Sequence, residues 1–131
     1  MSSSQSDKLK ISILPDSLVI CQFPKDTPIP LYVFASTFFS ITQTEDELSV
    51  VCDQSVIPAN VKKVEDWRAF KVEGPLDFSQ VGILSSLATP LAENQIPIFA
   101  ISTYDTDYLL VQSKHFGEAK KVLGKVCVLR E

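Results

Sequence analysis

Apolar and polar residues alternate over residues 9–14 (Leu-Lys-Ile-Ser-Ile-Leu), the period of a half-buried strand. Pro15-Asp16 predicts a turn and residues 18–23 a second strand, so the first two elements are expected to form a hairpin. Prolines 24, 28 and 30 impose an irregular link. Residues 31–35 are short and apolar and are assigned a brief helix. Strands over 38–43 and 48–52, joined by the polar turn Thr44-Glu45-Asp46-Glu47, predict a second hairpin. Residues 55–61 allow a helical turn around Pro58.

From Trp67 onward the periods change. Residues 67–73 alternate and predict a strand. Phe78, Val81, Leu84, Leu87, Ala88 and Leu91 recur at helical spacing, predicting a helix over 78–93. Residues 96–103 form an apolar strand, Asp105-Thr106 turns the chain, and residues 108–112 return. Phe116, Ala119, Val122 and Leu123 share one helical face over 116–123, with Gly124 as a C-terminal stop and a closing strand over 126–129. The order β-α-β-β-α-β is ferredoxin-like, so the expected class is α+β with mainly antiparallel sheets. Two subdomains are expected, residues 9–62 with little helix and residues 63–131 with two helices, the charged stretch 62–66 marking the boundary. Residues 1–8 read as a disordered tail. The acidic turns Thr44–Glu47 and Tyr104–Asp107 point to an internal repeat.

Composition narrows the function. Of the 131 residues 45% are hydrophobic and 21% charged, enough apolar material for a core. The net charge is −4 and the basic residues are scattered, which argues against nucleic acid as a partner. The N-terminus lacks the pattern of a secretory signal, and no apolar run is long enough to span a bilayer, so a cytoplasmic protein without membrane contact is expected. Cys21, Cys52 and Cys127 lie far apart in strand-like contexts and read as buried reduced thiols. His115 has no ligand-like neighbour, so neither a metal nor a cofactor is expected.

Two segments carry candidate chemistry. At the start of the long helix, Asp77 or Ser79 can cap, and the first-turn amides at Gln80, Val81 and Gly82 lack intrahelical acceptors. Such a positive end suits a carboxylate, and Gly82 lets a ligand approach the backbone. Pro90 is expected either to kink this helix or to end it near Ala88, freeing polar groups around Ser85 and Ser86. The second segment, Ser102 to Asp107, brings a carboxylate. Asp105 reads as a turn residue making an Asx-type bond, and Asp107 as the start of the return strand. Amides facing a carboxylate would suit a zwitterion. No nucleophile–base pair supports an enzyme.

Glu73-Gly74-Pro75-Leu76-Asp77-Phe78, Pro90-Leu91-Ala92-Glu93 and the run from Ile98 to Val111 resemble the small aspartate-kinase-like ACT-domain proteins. Phe38 to Thr44 and Glu47 to Cys52 match that family's first half. More distantly, the second half resembles the repeats of the cytosolic arginine sensors. The resemblance implies two ACT-like subdomains, a free amino acid or similar small effector as ligand, and a homodimer. It places the ligand on Gln80, Val81, Gly82, Ile83 and Leu84, on Ser86, and on Asp107. Gln80 departs from the acid of that ligand loop. The rival reading is a ligand-free dimerisation or protein-interaction module, and a third is a small enzyme using the Asp105 and Asp107 carboxylates.

Overall fold

The computed structural model describes residues 9–74 and 82–130. The expected tail over residues 1–8, the candidate caps Asp77 and Ser79, and the candidate ligand residues Gln80 and Val81 lie outside the described residues. The chain divides into two compact units. An inserted unit runs from Pro15 to Trp67; a split unit comprises the residues up to Leu14 and those from Arg68 onward.

The inserted unit contains β2 (Leu18–Pro24), a 3-10 helix at Leu31–Ala35, β3 (Ser40–Gln43), β4 (Glu47–Asp53), a 3-10 turn at Gln54–Val56, and the first half of β5 (Lys63–Val72). Its strand order is β3-β4-β2-β5, antiparallel throughout. That is the ferredoxin-like arrangement with 3-10 helices where longer helices would stand. The expected hairpin over 38–52 forms, with Gln43 opposite Leu48. Alternation along β4 directs Leu48, Val50 and Cys52 into a core with Val19, Cys21 and Val33. The helical turn expected around Pro58 lies instead at Gln54–Val56, where the Asp53 side chain accepts from the Ser55 amide.

The split unit contains β1 (Leu9–Ile13), the second half of β5, α1 (Ile83–Glu93), β6 (Phe99–Ser102), β7 (Asp107–Gln112), a 3-10 turn at Ser113–His115, α2 (Phe116–Gly124) and β8 (Cys127–Arg130). Its strand order is β8-β1-β5-β7-β6. From β5 to β8 the elements follow the expected β-α-β-β-α-β. Leu87 and Leu91 of α1 and Ala119, Val122 and Leu123 of α2 pack on Ile11, Phe70, Val72, Leu109 and Val111. Phe70 also stacks on Phe116 at 5.4 Å. Burying one such leucine contributes about 1.5–3 kcal/mol.

The structure overturns the expected first hairpin and decides the course of α1. β1 and β2 do not form a hairpin: β1 pairs antiparallel with β5 and parallel with β8. The two compact units divide near Leu14 and Trp67, and the charged residues 62–66 mostly belong to β5. Finally, α1 runs through Pro90 rather than ending near Ala88. Its end is set five residues later. Gln95 takes a left-handed φ of 60°, while its N–H donates to the Ala92 carbonyl and that of Ile96 to the Leu91 carbonyl. This is a Schellman stop built on glutamine, with Ile96 buried behind it. Gly124, expected as a stop, is instead the last residue of α2.

Candidate functional site

All the described candidate residues belong to the split unit. Gly82 is the N-cap of α1, with φ 78° and ψ 3°, a left-handed conformation that glycine adopts without strain. Among the described residues no side chain caps this helix, and the first intrahelical bond runs from the Ser86 amide to the Gly82 carbonyl at 2.8 Å. The amides of Ile83 and Leu84 thus precede the helical ladder. The helix starts later than the pattern from Phe78 predicts. Gly82 is exposed, and Ile83 and Leu84 are half-buried, packed on the core. Ser86 is exposed, and its hydroxyl donates back to the Ile83 carbonyl at 2.7 Å.

Asp107 is the first residue of β7 and lies opposite Ser102. The Ser102 hydroxyl donates to Asp107 Oδ1 at 2.6 Å. Strand alternation puts Asp107 on the face that carries Leu109 and Val111, the face packed against α1 and α2. The next contact fixes which end of the sheet this is. Thr106 is buried, and its hydroxyl donates to the Val72 carbonyl at 2.6 Å. Val72 ends β5, the strand from which the chain proceeds to α1. Asp107 and the start of α1 therefore belong to the same end and the same face of the unit. The two halves of the candidate site share that end by topology; no hydrogen bond joins Asp107 to Gly82, Ile83, Leu84 or Ser86 among the described residues.

Ser102, Thr103 and Thr106 are the residues that sequence reasoning underrated. The turn is closed by the Thr103 amide donating to the Thr106 carbonyl at 2.8 Å and by the Thr106 amide donating to Thr103 Oγ1 at 3.3 Å. The role expected of an Asp105 Asx bond thus falls to a threonine. The inserted unit builds the same turn. The Thr44 amide donates to the Glu47 carbonyl at 2.9 Å, and the Glu47 amide to Thr44 Oγ1 at 3.2 Å. The repeat therefore aligns Thr44–Glu47 with Thr103–Thr106, one residue earlier than the acids alone suggest. In this alignment Gln43 matches Ser102 and the fully buried Leu48 matches Asp107. The inserted unit has a polar groove of about 790 Å³ beside its turn, lined by Lys25, Asp26, Gln43, Thr44, Glu45 and Asp46, but no carboxylate at the Asp107 position.

The three cysteines are buried and unbridged. Cys21 and Cys52 lie on neighbouring strands, and the hydrogen bond that the Cys21 thiol donates to Cys52, with burial, pushes the Cys21 thiol well above the ordinary range. Among the described residues no group of histidine, cysteine and acidic side chains could hold a metal ion, and no helix is long and apolar enough to cross a membrane.

A model of the ACT domain matches residues 62–125, and a second model, of an N-terminal domain, matches residues 16–60. The structure is similar to that of protein Atu0741 from Agobacterium tumefaciens, with a TM-score of 0.87, 36% identity and 95% of each chain covered. It shares its fold with the regulatory subunit of aspartate kinase from Thermus thermophilus, with a TM-score of 0.62, 10% identity, and 87% of this chain and 96% of that one covered. In sequence it is 34% identical over 97 residues to the Homo sapiens cytosolic arginine sensor for mTORC1 subunit 1, covering 68% of this chain. The match spans 30% of the length of that sensor.

Proposed function

Because the chain belongs to the ACT-domain family, we propose that it is a regulatory protein that binds a free amino acid at the end of the split unit where α1 and β7 begin. The observation that carries this reading is Asp107, a half-buried carboxylate held by Ser102 on the helix-bearing face of the sheet. The ligand's α-carboxylate lies on the amides at the start of α1, at Gly82, Ile83 and Leu84, with Gln80 and Val81 leading into them. Charge-assisted bonds of this kind are short and strong. Ser86 offers an acceptor oxygen, since its proton is committed to Ile83. Asp107 takes an ammonium or guanidinium group. Similarity to a protein named as an arginine sensor makes arginine the first ligand to test.

The role is regulatory rather than catalytic, and the working state is a cytoplasmic homodimer. Exposed Leu31, Phe34 and Phe39, beside the edge strand β3, support a second copy as partner. The same residues favour the alternative, a ligand-free interaction module, whose oligomeric state would be indifferent to amino acids.

Calorimetry and thermal shift against the twenty amino acids test the reading. A true effector at a hundredfold excess over its Kd stabilises the fold by about 2.7 kcal/mol, which should raise the Tm by about 10 °C. Asp107→Ala should abolish that rise while leaving the ligand-free protein folded. No heat and no Tm shift with any amino acid would remove the ligand and leave the interaction module.

A further inference from the structure

We propose that Ser102 and Thr106 are positioning residues for the effector site: Ser102 sets the orientation of the Asp107 carboxylate, and Thr106 fixes the strand end that carries it. This rests on the amino-acid-binding reading above. Ser102 stands directly across the ladder from Asp107, and its hydroxyl engages Oδ1 at 2.6 Å. That bond fixes the plane of the carboxylate and leaves Oδ2 for a ligand cation. No other side chain is bonded to Asp107 among the described residues.

Thr106 acts one residue earlier. It is only 5% exposed, and all of its polar groups are engaged. Its hydroxyl reaches Val72 at 2.6 Å, its amide binds Thr103 Oγ1, and its carbonyl accepts from both the amide and the hydroxyl of Thr103. Val72 is in turn followed by Glu73, whose amide donates to the Lys10 carbonyl at 2.8 Å. The start of β7 is thereby tied to the end of β5, from which the chain leaves for Gly82. A ladder needs no such side-chain bond, because strands pair through their backbones.

The inserted unit supplies the internal control. Its turn carries the same threonine bonds, yet Gln43, Glu47 and Leu48 stand where Ser102, Thr106 and Asp107 stand in the split unit. Glu47 there meets Gln22 in an exposed contact at 2.9 Å rather than a buried latch. The turn therefore forms without the Ser–Asp pair or the buried threonine bond. These three residues are a set that the turn itself does not require, and they converge on one carboxylate.

The test uses the full chain with Ser102→Ala, Ser102→Thr and Thr106→Val. L-arginine is titrated first, then the other amino acids, by calorimetry. The χ1 couplings of Asp107 are measured by NMR without ligand. Loss of one bond to a charged group should weaken binding about tenfold in Ser102→Ala. Ser102→Thr, which keeps the hydroxyl, should restore it, and Thr106→Val should weaken it as well. Asp107 should hold one χ1 rotamer in the wild type and in Ser102→Thr, and average between rotamers in Ser102→Ala. If the wild type binds an amino acid and Ser102→Ala binds it as tightly, the assignment is overturned. If the wild type binds none, the effector reading fails, and the couplings alone decide whether Ser102 orients Asp107: unchanged couplings in Ser102→Ala overturn it.

Discussion

Replacing Gly82 separates backbone conformation from crowding at the start of α1. The residue sits at φ 78°, and a Cβ built there meets no atom of the described residues within 4 Å. Any penalty of Gly82→Ala is therefore conformational. Holding an L-residue in the left-handed region costs about 1–2 kcal/mol. Removing glycine also lowers the entropy of the unfolded chain, which gives back about 0.4–1 kcal/mol. The net expectation is a loss of about 1 kcal/mol, or about 3–6 °C in Tm for a chain of this size. Asparagine tolerates this region better than alanine, and a β-branched valine tolerates it least. The stability order in urea unfolding should be Gly82, then Asn, then Ala, then Val. Amide exchange of Ser86, whose N–H donates to the Gly82 carbonyl, should quicken in the same order. Equal stability for alanine and valine with the wild type would refute the argument. It would mean that the left-handed cap is not needed to begin the helix where it begins.

Other changes probe the remaining irregularities. Gln95→Gly should stabilise by about 0.5–1 kcal/mol, because Gln95 is exposed and holds φ 60° at the stop of α1; a falling urea midpoint would contradict this. Pro90→Ala restores a donor to the Ser86 carbonyl inside α1. It should raise stability by about 1–2 kcal/mol after the entropy lost by removing proline, and an unchanged midpoint would show that the last turn frays anyway. The raised Cys21 thiol makes stability depend on pH. The folded pair keeps one proton, on Cys21, while the Cys52 thiol that accepts from it is shifted down; the unfolded chain releases both, so stability falls above the ordinary cysteine pKa of about 8.5 by about 1.4 kcal/mol per pH unit. Cys21→Val should flatten that decline between pH 8 and 10, and an equally steep decline would assign it to other groups.

Much of the fold can be read from local pattern, and what cannot is non-local. The helical spacing of Leu87 and Leu91 and the alternation of Leu48, Val50 and Cys52 follow from one buried face per element, so these elements were foreseeable. Adjacent strands usually pair with each other, whereas the partners of β1 lie about sixty and about 120 residues away. Nothing in Leu9–Ile13 encodes that choice. The start of α1 was placed early because the apolar period from Phe78 does not reveal that Gly82 is left-handed. Aligning the two acidic turns by their carboxylates puts the repeat one residue out of register, because the hydrogen bonds that close the turns are made by Thr44 and Thr103.

That register bears on which residues the fold explains and which it leaves over. Two turns with the same threonine bonds show what a hairpin at this place requires: a threonine at the first position and polar residues at its tip. The residue after the turn then begins a strand whose alternate side chains enter a core. In the inserted unit that residue is Leu48, fully buried, as packing alone would favour. In the split unit it is Asp107, on the corresponding face and continuous with Leu109 and Val111. A half-buried aspartate adds no apolar burial there, whereas a leucine would, so core packing alone would favour leucine at this position. The bond from Ser102, exposed itself, keeps the carboxylate in place but adds no apolar burial. The acid is therefore better explained by what it binds than by what it stabilises. The comparison also yields a decisive substitution: Asp107→Leu, copying the inserted unit, should hold or raise the urea midpoint while eliminating effector binding. A marked loss of stability instead would mean that the Ser102–Asp107 pair is structural, and the effector site would have to be sought elsewhere.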